Sequence, residues 1–236
     1  MWSALSRYLE VTPRHKTPKP CGDEAMLSGR GPAQMGWYAF VADIVAGASV
    51  LDVGCGSGEG LKLLASRASA ALGIDLDERL RRPDLNVEIR SVTDVPDKSF
   101  DYVVCLDVIE HVEDDRAFLA ELFRVARRAV FVTTPNYAMS FNRNPYHVRE
   151  YTPARFERLF DGYGALTLYA GTAKGRERVE LTRRRAYFLV SALYQWKPTV
   201  PAAKVLKRLL RVRVWGHQAA LVRLPAAPSE AATAAA

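Results

Sequence analysis

Apolar residues fall into short unbroken runs along the first two thirds of the chain, and between those runs they recur every three or four positions. The runs predict strands over 48–53, 70–75, 86–90, 101–106, 129–134 and 164–170; the spaced stretches predict helices over 33–46, 57–67, 114–127 and 152–161. The last of these helices carries a start signal, Thr152 as N-cap and Pro153 at the first helical position. Continuous apolar runs fit strands buried on both faces, and alternation with helices implies a largely parallel sheet. Beyond residue 171 the pattern changes. Two helices, about 180–196 and 201–212, are expected ahead of a final strand over 218–224. The domain therefore spans 33–224, with an irregular Pro-rich arm over 1–32 and a disordered Ala- and Pro-rich tail over 225–236.

The first strand runs into Asp52-Val-Gly54-Cys-Gly56-Ser-Gly58, and a helix pattern follows at once. Glycines here let the backbone bend sharply and approach a ligand without Cβ interference. Strand, glycine turn and helix form a nucleotide-type cradle at the C-terminal edge of a parallel sheet. The second strand ends in Asp75, 23 residues after Asp52, where a carboxylate can accept from both hydroxyls of a ribose. A later strand, 101–106, leads to Asp107 and then Glu110-His111-Val112; the strand over 129–134 runs into Pro135-Asn136. Glu59 stands where the last glycine of a G-x-G-x-x-G fingerprint belongs, which disfavours an NAD oxidoreductase.

With those motifs in order over 33–171, the chain resembles class I S-adenosylmethionine-dependent methyltransferases. It is closest to the branch with an Asp-x-Gly-x-Gly-x-Gly first motif and a later Glu-His-Val. The resemblance implies a Rossmann-like α/β sandwich with a seven-stranded, mostly parallel sheet. Its last two strands would form an antiparallel hairpin, interrupted here by a helical insertion over 172–215. It also implies S-adenosylmethionine as cofactor, with Asp52, Gly54, Gly56 and Gly58 at the methionine part and Asp75 and Leu76 at the ribose. The resemblance also assigns Asp107 to the cofactor site. The family often has an aspartate at the adenine after the third strand; here Ser91 and Val92 align there, so either they serve or Asp94 does. The string Asn144-Pro-Tyr-His-Val-Arg-Glu-Tyr-Thr-Pro153 resembles bacterial methyltransferases associated with glycan and polysaccharide assembly, which makes a small molecule or glycan the expected acceptor.

Apolar content of 49% and charged content of 25% are ordinary for a globular domain. Three cysteines without metal or redox spacing fit a reducing cytoplasm, and neither a leader nor a membrane-spanning run is apparent. Charge adds more. Residues 172–223 hold thirteen Lys or Arg against two Glu, so the remainder is net negative although the whole chain carries +7. In 204–211, Val205, Leu206, Leu209 and Leu210 fall on one helical face and the cations on the other. Three readings of 183–213 stand: lid helices with a solvated basic face, peripheral contact with an anionic membrane, or contact with phosphate-bearing acceptors. No RNA-binding motif accompanies the charges, which disfavours nucleic acid.

Methyl transfer to a hydroxyl needs a base, and histidine suits that task. His111 and His147 both follow strands at the cofactor edge and are the catalytic candidates, His111 also being a candidate loop support. Tyr146 and Arg149 are candidate acceptor contacts; Arg149 can fork onto a phosphate or carboxylate, or make a surface ion pair with Glu150 or a neighbour. Two alternatives remain open. Asp107, Glu110, His111 and His147 are similar to the carboxylate–imidazole set with which RNA 3′-terminal ribose 2′-O-methyltransferases bind a divalent metal. The other is a non-catalytic subunit that binds S-adenosylmethionine for a partner. Oligomeric state and the atom methylated have no signature in the sequence.

Overall fold

A computed structural model describes residues 35–141 and 143–225; the expected arm and the tail from residue 226 lie outside the described residues. Helix α1 (Met35–Ile44) leads into β1 (Ser49–Val53), α2 (Glu59–Ala65), β2 (Ala70–Asp75), β3 (Val87–Ile89) and β4 (Phe100–Leu106). Helix α3 (Asp115–Val125), β5 (Ala126–Pro135), the single turn α4 (Tyr137–Ser140), α5 (Pro153–Arg158) and β6 (Ala165–Gly171) follow. The chain closes with β7 (Arg178–Glu180), α6 (Arg184–Tyr194), α7 (Val200–Leu209) and β8 (His217–Arg223).

These strands form one sheet in the order β3-β2-β1-β4-β5-β8-β6-β7. The first five are parallel, and β8 slots antiparallel between β5 and β6. Because β8 runs against β5, its first residue meets the end of β5: His217 is paired with Pro135. That reversal brings the far end of the sequence to the edge where the parallel strands deliver their loops.

Side chains leave a strand to alternate faces. On β5, Val130 and Val132 pack into one core with Leu119, Leu122 and Phe156, while Phe131 packs into the other with Trp37, Tyr38 and Leu61. Both faces are thus covered, as the unbroken apolar runs require. Helix ends are satisfied locally: Asp114 accepts from Ala117 N at 3.0 Å, and Thr152 accepts from Arg155 N at 3.3 Å ahead of Pro153.

Two expectations need correction. The sheet has eight strands rather than seven, because the chain turns back after β6 and adds the short edge strand β7. Gly175, at φ +62°, makes that turn and lies against the start of α1, where a Cβ would come within 2.4 Å of Trp37 N. The second concerns α7. Its inward face is Ala203 with Leu206 and Leu210 half-buried, whereas Val205 and Leu209 point to solvent. A helix seated on α6 through Ala203, Leu206 and Leu210 leaves the Val205–Leu209 edge of its apolar face uncovered.

Candidate active site

The ends of β1, β2, β4 and β5, together with the start of β8, meet along one edge, and that edge holds every candidate residue. At its β1–β2 side the site is made chiefly of backbone. Gly54, Gly56 and Gly58 all adopt positive φ (71°, 58° and 79°), a region that other residues enter only with strain. Gly54 has a second constraint, since a Cβ there would lie 2.5 Å from the Val108 side chain. The amides of Gly54 and Cys55 donate to Ile74 O, which ties the turn to the end of β2.

Asp75 is the hub of this side. Its carboxylate accepts from Gly56 N at 2.9 Å, Leu76 N at 2.8 Å and Asp77 N at 3.2 Å. The acid is held ready at the mouth of the glycine turn, beside the exposed side chain of Leu76. Asp52 lies deeper: it is fully buried and accepts from Tyr38 OH at 2.9 Å. The Tyr38 ring crosses Gly60, where a Cβ would sit 2.2 Å from it. Tyr38 therefore couples α1, α2 and the first motif, a role that its position 14 residues before Asp52 did not advertise. Ser91 and Asp94 cap each other's backbone in one reciprocal turn, with Ser91 Oγ accepting from Thr93 N and Asp94 Oδ2 from Ser91 N. Both sequence alternatives for the adenine thus sit in one structural unit. Arg124 fastens it through Val92 O and Val95 O.

The β4–β5–β8 side is made of side chains. Asp107, itself at φ +54°, accepts from Thr133 Oγ1 at 2.8 Å and pairs with His217 Nε2 at 2.8 Å. Burial opposes a charge on His217, yet the Asp107 carboxylate and its hydrogen bond outweigh burial and hold the imidazole pKa above its usual value. Glu110 is completely buried, and burial reinforced by the Asp107 charge pushes its pKa well up. One of its oxygens accepts from Thr134 Oγ1 at 3.0 Å; the other, Oε1, has no hydrogen-bond partner and lies 4.0 Å from His147 Nε2.

His147 is oriented from both sides. Its Nδ1 lies 2.6 Å from Glu150 Oε1, and Asn144 Nδ2 donates to Nε2 over 3.0 Å. A carboxylate at Nδ1 makes that nitrogen the donor and leaves the lone pair on Nε2. Glu150 is itself buried and held by Ser140 Oγ. His111 packs edge-on against His147, with ring centroids 4.8 Å apart, and its Nδ1 bonds Tyr146 O at 2.9 Å. Donor atoms of Glu110, His111 and His147 all come within 4.8 Å of one another.

The structure brings His147, His111 and Tyr146 together beside Asp107, and Asp75, Leu76 and the glycines on the neighbouring side. Arg149 takes the second of its two alternatives, an ion pair with a neighbour. Its guanidinium donates to Val112 O and Glu113 O, at 2.8 and 2.6 Å, and pairs with Asp115 at 3.2 Å. Its fork holds the chain's own loop, so Arg149 is a structural staple; its neighbour Glu150 pairs with His147 instead. Two residues of the cluster were missed by sequence reading, His217 and Glu150. Glu150 had a signal, a carboxylate three positions after a loop histidine; His217 had none without strand β8 in place.

Comparison with known proteins agrees with this geometry. Residues 51–132 match a family model described as a methyltransferase domain. A probable S-adenosylmethionine-dependent methyltransferase of Mycolicibacterium smegmatis is 35% identical over an alignment covering 67% of this chain and 68% of that protein. A ubiquinone biosynthesis O-methyltransferase of Pseudomonas fluorescens is 33% identical, with 48% of this chain and 53% of that one covered. The chain thus spans only about half the length of some curated relatives it matches. Among solved structures, a methyltransferase of Haloferax volcanii in complex with the Trm112 methyltransferase activator superposes with TM-score 0.59 at 15% identity, covering 88% of this chain and 95% of that one.

Proposed function

Because the chain belongs to the S-adenosylmethionine-dependent methyltransferases, we propose that it methylates a hydroxyl of a small molecule or glycan, a sugar hydroxyl foremost, at the β4–β5–β8 edge. Bound S-adenosylmethionine supplies an electrophilic methyl group. The residues present fit that cofactor. Asp75 offers a carboxylate to the ribose hydroxyls, Leu76 an apolar surface beside it, and the glycine turn a backbone free of side chains where the methionine part belongs. The Ser91–Val92 turn would take the adenine.

One observation carries the acceptor reading: His147 is buried with Glu150 on Nδ1 and its lone pair on Nε2. An imidazole oriented in this way accepts the acceptor's hydroxyl proton at Nε2 once the Asn144 amide yields, and Glu150 then stabilises the imidazolium. Thr134, Ser140 and Asn144 make the surroundings polar, which suits a hydroxyl-rich acceptor. The relatives named ubiquinone biosynthesis O-methyltransferases support oxygen as the nucleophile. The test is release of S-adenosylhomocysteine over nucleotide sugars, free and lipid-linked glycans and phenols. Turnover on a hydroxyl acceptor that is lost in His147→Ala supports the reading. Turnover only on amines refutes it.

A second reading rests on the buried, unpartnered Glu110 Oε1. With the imidazoles of His111 and His147 it forms a set suited to a first-row divalent cation. In that reading Glu110, His111 and His147 would hold the ion, which would lower the acceptor's pKa. Turnover that EDTA abolishes and Mn²⁺ restores, assayed with short RNA ends included, would select it over the metal-free base.

A further inference from the structure

From residue 181 to residue 225 the chain has ten Lys or Arg and no acidic residue. Most of them lie on the helical hairpin α6–α7. Three of the ten are engaged internally: Arg184 pairs with Glu157 at 2.9 Å, Arg213 with Glu177 at 2.8 Å, and Arg183 donates to Leu210 O across the hairpin. Among the described residues no ion pair is recorded for Lys197, Lys204, Lys207, Arg208 or Arg211.

The same hairpin leaves large apolar side chains in water. Val205 is 59% and Leu209 75% exposed, one turn apart on the outer face of α7 and flanked by Lys204 and Arg208. Trp196, in the turn between the helices, is 61% exposed, and Leu189 on α6 is 41% exposed. Helices that merely cover a core turn their leucines inward; this one divides them, with Leu206 and Leu210 inward and Val205 and Leu209 outward. No described helix is long and apolar enough to cross a membrane.

We propose that α6–α7 is a docking surface for an anionic lipid bilayer. Val205, Leu209 and Trp196 enter the interface, and the lysines and arginines beside them meet lipid phosphates. Charge complementarity selects the occupant, since an acid-free basic hairpin has little else to offer a zwitterionic surface. Lysine and arginine stems next to an inserted leucine reach upward to headgroup level, so the two residue types cooperate. An exposed leucine–valine ridge is of little use to a polynucleotide, whose contacts are phosphate and stacked base. The hairpin is joined to the acceptor side of the site, because Tyr187 OH on α6 accepts from Asn136 at the end of β5 over 3.2 Å. Docking there would hold the active edge close to the membrane.

The experiment is flotation of the full chain with vesicles of phosphatidylcholine alone and with 30% phosphatidylglycerol, for wild type, Val205→Ser/Leu209→Ser and Lys204→Glu/Arg208→Glu. All four positions are exposed, so the variants should unfold at the wild-type temperature. Binding confined to anionic vesicles is expected, weakened about 30-fold or more by reversing the two cations and at least tenfold by the apolar pair. Equal binding by wild type and the apolar variant overturns the proposal, as does failure of wild type to float. So does binding of short RNA that needs Lys204 and Arg208 while ignoring Val205 and Leu209. Self-association through Val205 and Leu209 without vesicle binding would likewise overturn it, in favour of a second copy.

Discussion

The two halves of the active edge are built by opposite means. On the β1–β2 side, backbone amides and three positive-φ glycines do the work around one carboxylate, and all of it comes from 26 consecutive positions, Asp52 to Asp77. On the β4–β5–β8 side the work is done by side chains from four separate segments. Asp107 and His217 are 110 residues apart, and Glu110 and Thr134 are 24 apart. A backbone cradle accommodates an invariant ligand with little dependence on the rest of the chain. A side-chain cluster holds buried charge and must be satisfied by partners, so it depends on the whole sheet being assembled. The first side is suited to a constant cofactor, the second to a particular acceptor.

Mutations should separate the halves. Glu150→Gln removes the anion from His147 Nδ1 with little change of shape, and turnover is expected to fall about 100-fold or more with cofactor affinity unchanged, read by initial rates and calorimetry side by side. Asp75→Ala should do the reverse. Loss of a charged acceptor weakens S-adenosylmethionine binding by about 1.5–3 kcal/mol, roughly 10- to 150-fold, and unchanged affinity in a calorimetric titration would remove Asp75 from the site. Gly54→Ala forces a Cβ into φ +71° and into Val108, so thermal unfolding should show a loss of about 1–3 kcal/mol.

The smallest effect is on pH dependence. His217 has a raised pKa in the folded protein, so its bound proton stabilises the fold fully below the unfolded value of about 6.5 and the contribution is lost as pH rises through the folded value. Asp107→Asn removes the cause. The decline in unfolding temperature between about pH 6 and pH 9 should therefore be shallower in the variant than in wild type. A parallel decline in both would mean that Asp107 does not hold that proton.

The same contrast explains what could be read from sequence. The glycine turn, Asp75 and the parallel strands were legible because strand, turn and helix are adjacent in the chain and each has a local pattern. Thr152 and Pro153 were legible as a helix start for the same reason. His217 was not: it stands one residue before the expected final strand, and only antiparallel pairing of β8 with β5 carries it to Asp107. Arg149 stays open between an acceptor contact and an ion pair in the sequence because a guanidinium in a polar loop has no local signature of its partners, and those partners, Val112 O, Glu113 O and Asp115, lie more than thirty residues back. On α7 the helical pattern was right, but which apolar residues would be covered depended on how narrowly α6 contacts it.

The central claim is that His147, oriented by Glu150, serves the acceptor and not the cofactor. It is tested most directly by measuring S-adenosylhomocysteine release and S-adenosylmethionine affinity on one preparation of His147→Ala with a hydroxyl acceptor on which wild type turns over. The account predicts a fall in turnover of about 100- to 10,000-fold with the dissociation constant for S-adenosylmethionine unchanged. Turnover equal to wild type, or a loss confined to cofactor affinity, would contradict it.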